Sequence, residues 1–200
     1  GASPERLFRR EGKSFLTEAL AGTRPRGTTK KEDSALQETL LTSPKELLEH
    51  QLVIDDITEV LKEICRKVEI DRKNLLLKLE GGHHLLTKIS ATLRDAVTDA
   101  TILFVLHPTP AVAGTPTEAA VKAIKKEEPF SRGWYAGPIG YFGTDSSEFA
   151  VAIRCGLIET KKISLYAGAG IVNGSDPESE WQEIENKISI YLRILNHEVR

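Results

Sequence analysis

Two acidic pairs and a glycine-rich run carry the chemical potential of this chain. Glu46 with Glu49, and Glu180 with Glu183, are Glu-x-x-Glu pairs, so each pair projects both carboxylates from one side of a helix. Brought together they would form an all-oxygen site, the kind a hard cation such as Mg²⁺ prefers. Two solvated helix starts are the competing reading, because the helix dipole favours acids there in any case. Lys187 follows Glu183 by four residues, on the same side of its helix. Upstream, Gly168 and Gly170 sit in the run Leu165-Tyr166-Ala167-Gly168-Ala169-Gly170-Ile171-Val172, where missing side chains let backbone N–H groups approach a ligand. Tight strand packing explains such glycines equally well. Arg154, after the apolar stretch Phe149-Ala150-Val151-Ala152-Ile153, could grip a carboxylate with two parallel hydrogen bonds or sit as a surface arginine. His84 lies beside His83 with no Cys or His at zinc-ligand spacing, so an isolated polar contact is the default.

The elements that must position these groups can be read from periodicity. A hairpin is expected from Arg6 to Ala21 around Glu11-Gly12-Lys13, then an exposed basic loop from Gly22 to Ser34. Ser43-Pro44-Lys45-Glu46 has an N-cap serine, a proline at the first helical position and a glutamate three after the cap, which predicts a helix to about Val68. Leu75 to Leu93 reads as strand material around a turn at Gly81-Gly82. Thr115-Pro116-Thr117-Glu118 repeats the capping pattern and predicts a helix through Lys126. Three strands follow, over Gly133 to Phe142, Phe149 to Cys155 and Ile163 to Val172. Asp176-Pro177 opens a last helix whose Trp181, Ile184, Ile188, Tyr191, Leu192 and Leu195 are expected to pack on that sheet.

Composition narrows the classes. The 200 residues, 40% apolar and 28% charged, suffice for one sizeable core, and the reading is a single domain over residues 1–200. A formal charge of −2 with no dense basic run gives no reason to propose nucleic acid or anionic lipid as partner. The longest apolar stretch, Ala100 to Leu106, is too short to span a bilayer. Two cysteines, Cys65 and Cys155, without Cys-x-x-Cys spacing read as reduced packing residues of a cytoplasmic protein. The chain has no methionine and opens on Gly1-Ala2-Ser3, which suggests a C-terminal piece, with a processed leader as the alternative. No Gly-x-Gly-x-x-Gly, Walker loop or Gly-x-Ser-x-Gly elbow supports nucleotide binding or serine hydrolysis.

Seven ordered segments together carry a resemblance: Ser3-Pro4-Glu5-Arg6-Leu7, Leu20-Ala21-Gly22-Thr23-Arg24, Glu49-His50, His107-Pro108-Thr109-Pro110, Tyr135-Ala136-Gly137, Ile153-Arg154 and Ala167-Gly168-Ala169-Gly170-Ile171-Val172. In content and order they resemble the chorismate-utilising enzyme family. Glu128-Pro129-Phe130, Gly133-Trp134 and Glu148-Phe149-Ala150-Val151 look most like its isochorismate synthases of menaquinone and siderophore pathways. Aminodeoxychorismate synthases typically carry a lysine where this chain has Ala21, which argues against their covalent route.

The resemblance implies an α+β fold, an antiparallel sheet sandwich flanked by helices, here only its C-terminal part, with exposed strand edges and apolar surface where the missing N-terminal half of the same protein would lie. It implies Mg²⁺-dependent conversion of chorismate to isochorismate, with Glu5 as general acid, Glu49 and Glu183 as direct metal ligands, and Glu46 and Glu180 holding metal-bound waters. A strand-end salt bridge is the other reading of Glu5. Arg154, Lys187 and the Gly168 N–H match contacts to the substrate carboxylates, while Gly22, Thr23, His84, Ala111 and Tyr135 match positions lining the ring pocket. The family's general-base lysine lies upstream of the Ser-Pro-Glu motif, outside this chain, which is therefore expected to be inactive alone. Anthranilate or salicylate synthase chemistry, or a non-catalytic chorismate-binding remnant, are the alternatives.

Overall fold

The computed structural model describes residues 1–79 and 82–197. In chain order the elements are β1 (Arg6–Glu11), β2 (Ser14–Arg24), α1 (Lys30–Thr42), α2 (Pro44–Ile64), β3 (Cys65–Leu79), β4 (Gly82–Leu93), α3 (Asp99–Leu106), α4 (Thr117–Glu127), β5 (Pro138–Phe142), β6 (Ser146–Val151), β7 (Cys155–Glu159), β8 (Lys162–Tyr166) and α5 (Pro177–His197). Six strands form one sheet in the order β3-β4-β2-β1-β6-β5, and β7 with β8 makes a separate two-stranded ribbon. Every pairing is antiparallel. The α+β class and the antiparallel sheet are as the sequence implied.

The sheet is built from local hairpins joined by one distant pairing. In the first hairpin Arg9 lies opposite Leu16, and Gly12 supplies the left-handed φ of +56° that its tight turn needs. Strand β6 then returns from far along the chain to pair with β1, with Arg9 opposite Glu148. Phe8 sits where the two meet and stacks on Phe15 at 5.6 Å and on Phe149 at 5.2 Å. All three rings are buried. Full burial of such a side chain contributes about 2 kcal/mol, so this trio anchors the centre of the sheet.

Helix α2 closes one face of that sheet, against β2. Its buried positions Glu46, His50, Val53, Ile54, Ile57, Leu61 and Ile64 recur every three or four residues, one helical face. Two of the seven are polar, and both lie in the first two turns. The apolar part of the face therefore packs the core, and the polar part is turned to another use.

Several sequence expectations change. Ser43 caps α2 as predicted, accepting from the Glu46 N–H, but the helix ends at Ile64 because Cys65 turns to extended backbone and starts β3. The supposed loop from Gly22 to Ser34 contains the end of β2 and the start of α1, which Thr29 caps by accepting from the Glu32 N–H. Helix α4 takes Pro116, not Thr115, as its N-cap, with no side-chain hydrogen bond. A single strand over Phe149 to Cys155 does not form: β6 stops at Val151, Arg154 adopts φ +48°, and β7 begins at Cys155. Gly133 to Gly137 is turn rather than strand, and β8 ends at Tyr166, before the glycine run. The Gly81-Gly82 turn lies outside the described residues except for Gly82, which opens β4.

The last helix departs most from expectation. Trp181 is 59% exposed and Leu192 47%, and Leu195 is also open, while Ile184, Ile188 and Tyr191 are half-buried, so its apolar stripe is only partly covered. Its neighbour in the fold is the small β7–β8 ribbon, through β8, which offers too little surface to cover the stripe. Ile139, Tyr141 and Phe142 of β5 are exposed as well. No helix among the described residues is long and apolar enough to cross a membrane.

Candidate active site

The site forms where the head of β1, the end of β2, the start of α2, the start of β4 and the first turns of α5 converge. Glu5 precedes β1, its backbone carbonyl accepting from the Val151 N–H at 3.0 Å. Only 6% of its surface is exposed. Burial raises its carboxyl to about 7, against the opposing pull of the Lys187 ammonium. A carboxyl in that state still holds its proton near neutrality and can donate it.

Glu46 and Glu49 stand one turn apart on α2 in different environments. Glu46 is 2% exposed and fully engaged: Arg24 Nη1 donates to its Oε1 at 2.5 Å, and the Thr23 N–H donates to its Oε2 at 3.1 Å. Gly22 makes room for it, because at φ +78° a Cβ there would fall 3.2 Å from the same Oε2. Glu49, only partly buried, is raised to about 7 by desolvation and then by the negative charges of Glu46 and Glu183, with Lys45 and Lys187 pulling it back. Two carboxylates from α2 and one from α5 therefore share one electrostatic neighbourhood.

Among the described residues, each acid of this group except Glu49 has a cationic partner. Lys45 Nζ pairs with the buried Glu180, and Lys187 Nζ pairs with Glu183 at 2.6 Å. Lys187 also donates to the Gly168 carbonyl at 2.7 Å. The contact at Gly168 thus uses its C=O toward the lysine, which leaves its N–H for other use. Among the described residues no three acidic, histidine or cysteine side chains stand ready to hold a metal ion as they are. The donor chemistry nevertheless fits a hard cation: four carboxylates supply oxygen alone, and burial together with the charges of Glu46 and Glu183 disfavours ionised Glu49, a cost that a divalent charge would offset.

A second line of contacts runs through β2 and β4. Arg154 Nη2 lies 3.4 Å from His84 Nε2, and His84 Nδ1 lies 3.1 Å from Thr23 Oγ1. A guanidinium only donates, so Nε2 accepts and the imidazole proton sits on Nδ1, directed at the threonine. Desolvation first, then the charges of Arg154 and Lys187, depress His84 to about 3, so it stays neutral. Arg154 forms no ion pair among the described residues. Its burial lowers its own pKa, with Tyr191 and Glu183 partly opposing that effect. A guanidinium held away from water with no carboxylate partner is a ready anion anchor.

Tyr135 flanks the same region. Its ring stacks on Tyr166 at 5.3 Å, and its hydroxyl lies where a Cβ on Gly168 would approach to 3.0 Å. Burial raises its pKa, with the Glu5 charge a lesser contributor. The predicted residues Glu5, Gly22, Thr23, Glu46, Glu49, His84, Tyr135, Arg154, Gly168, Glu180, Glu183 and Lys187 are thus linked by contact or field. Ala111 packs, partly buried, against the hydrophobic core, with no polar or charged link to the rest.

Sequence reasoning missed Arg24 and Lys45, the cations that fix Glu46 and Glu180. Lys45 had a local signal, since it directly precedes Glu46. Arg24 stood in the quoted Leu20 to Arg24 segment, but no periodicity relates that strand end to a helix twenty-two positions on. The polar part of α2 continues at His50, whose Nε2 shares a 2.8 Å hydrogen bond with Thr87 Oγ1, which in turn accepts from the Asn74 N–H at 3.1 Å.

The sequence and the fold both match known proteins. The family described as "Chorismate binding enzyme" matches residues 1–196. Isochorismate synthase 2, chloroplastic, of Arabidopsis thaliana is 47% identical over 199 residues, covering 99% of this chain and 35% of that protein. The solved structure of MenF, the menaquinone-specific isochorismate synthase from Escherichia coli, superimposes with a TM-score of 0.87 at 43% identity, covering 94% of this chain and 44% of that one. Anthranilate synthase component I from Streptococcus pneumoniae superimposes with a TM-score of 0.82 at 30% identity, covering 94% of this chain and 42% of that one. The chain spans about a third to a half of the length of these relatives.

Proposed function

Because the chain belongs to the chorismate-binding enzyme family, we propose that it is the part of an isochorismate synthase that carries the general acid, the cation site and the substrate-carboxylate anchors. The observation that carries this reading is Arg154, a guanidinium drawn out of water with no carboxylate paired to it among the described residues. Chorismate is a dianion and needs two separate anchors.

In the proposed reaction a water oxygen bonds to C2, the ring double bonds shift, and the C4–oxygen bond breaks. Glu5 donates its proton to the departing C4 hydroxyl, which leaves as water. Its burial keeps that proton in place near neutral pH. Arg154 holds one substrate carboxylate, oriented by a neutral His84 that Thr23 steadies in turn. The ammonium of Lys187 has three donors and spends two on Glu183 and Gly168, so one remains for substrate. Glu49 and Glu183 would hold Mg²⁺, with Glu46 and Glu180 behind them, and the ion would supply a Lewis-acid anchor for the other carboxylate. The base that takes a proton from the attacking water is a lysine contributed from outside these 200 residues.

The test uses the complete reading frame that contains this chain, incubated with chorismate and Mg²⁺, with and without ammonium, and products separated by chromatography and identified by mass. Isochorismate alone is the expected product. Anthranilate formed with ammonium, or salicylate with pyruvate, would move the protein to a sister activity with the same anchors. A folded protein that binds chorismate and converts none would be a binding remnant. The 200-residue chain alone is expected to show no turnover, and robust turnover would remove the need for an external base.

A further inference from the structure

Gly170 has no part in the mechanism above, yet its backbone lies against the carboxylate of Glu49. A Cβ built at position 170 would stand 2.9 Å from Glu49 Cδ and 3.4 Å from Oε2, with Oε1 nearer still. Real side chains do not approach that closely, so any residue other than glycine requires the Glu49 carboxylate to leave its place. The backbone does not itself demand glycine there: position 170 lacks the left-handed φ that Gly22, at +78°, or Gly174, at +89°, adopts. Space, and not conformation, selects glycine at this position. Nor does Glu49 have the hydrogen bonds that fix Glu46, Glu180 and Glu183; among the described residues its carboxylate accepts none. The missing side chain at Gly170 is therefore what leaves room for that carboxylate where it stands.

We propose that Gly170 is a positioning residue that sets the place of the Glu49 carboxylate and thereby the fit of the cation site to a small divalent ion. The inference rests on the reading of Glu49 as a cation ligand. Mg²⁺ demands near-ideal octahedral geometry, whereas Ca²⁺ accepts longer and more variable oxygen contacts. A methyl at position 170 should therefore cost Mg²⁺ affinity more than Ca²⁺ affinity.

The experiment measures Mg²⁺ and Ca²⁺ binding by calorimetry, with thermal melting as control, for the protein from the complete reading frame and its Gly170→Ala, Glu49→Ala and Gly170→Ala/Glu49→Asp variants. Gly170→Ala is expected to weaken Mg²⁺ binding about tenfold or more, the effect of disturbing a ligand's support, and Ca²⁺ binding by less. Shortening the acid by one methylene withdraws it from the added methyl, so Gly170→Ala/Glu49→Asp should bind Mg²⁺ better than Gly170→Ala alone. If Gly170→Ala does not fold, the double variant should fold, and failure of both would place the clash elsewhere and overturn the inference. Unchanged Mg²⁺ binding in Gly170→Ala, with binding lost in Glu49→Ala, overturns the inference and leaves the metal reading standing. Unchanged binding in Glu49→Ala removes the metal reading and the inference with it.

Discussion

Lys187 reaches from α5 to the Gly168 carbonyl at 2.7 Å while the same ammonium pairs with Glu183 at 2.6 Å. One side chain thus ties the last helix to the glycine run after β8 and holds an acid of the proposed cation site. It also presents positive charge toward Glu5, Glu49 and His84, whose protonation it biases.

Replacing Lys187 with methionine keeps the stem and removes all three donors. Chorismate KM is expected to rise at least tenfold, since a contact to the ground-state carboxylate is lost. Stability should fall by only about 1 kcal/mol, the net contribution of a partly exposed hydrogen bond and ion pair. Steady-state kinetics with a melting curve checks both. A large stability loss with unchanged KM would make Lys187 a structural strut alone.

Glu5 gives a pH signature. Its folded value, about 7, lies above the ordinary 4.5, so between those limits the folded chain holds a proton that the unfolded chain has released. Stability from this group is therefore full below about pH 4.5, falls as pH rises, and levels off above 7, a loss of about 3 kcal/mol. Glu5→Gln cannot ionise and should be the more stable protein at pH 8 and no more stable at pH 4, while losing turnover. Urea denaturation at the two pH values measures the difference. A constant gap between the proteins would rule out the raised carboxyl.

Arg154 combines a desolvated charge, no ion pair among the described residues and a φ of +48°. Arg154→Gly removes all three burdens, because glycine adopts that backbone conformation without steric cost. The variant should melt at or above the parent temperature and bind chorismate on the order of 100-fold more weakly, the scale of losing a buried charged contact. Equilibrium binding and calorimetry test the opposed directions. A stability loss would show the arginine to be needed for the turn between β6 and β7.

Local rules made much of this protein legible. The α2 cap at Ser43, the first hairpin and the acidic pairs follow from spacing within one helix turn or one tight turn, and those interactions are local in the fold too. The exposed stripe of α5 was not legible, because helical periodicity says that a face is apolar and not what covers it. Arg24 on Glu46 and Gly170 beneath Glu49 were hidden for a related reason, since only the folded sheet brings those segments together. The break at Arg154 inside an apolar run was masked by propensity, which reads Phe149 to Cys155 as continuous.

The stacked trio of Phe8, Phe15 and Phe149 joins two very different sequence separations in one cluster. Phe8 and Phe15 share a hairpin and can meet within microseconds of local closure, whereas Phe149 arrives only after most of the intervening chain has been gathered in. Truncating Phe15 should therefore slow folding, and truncating Phe149 should mainly hasten unfolding, a contrast that stopped-flow chevrons resolve. Because Glu5 is fixed to Val151 on the late-arriving strand, the acid takes up its burial, and hence its proton, at the end of the folding reaction rather than at its start.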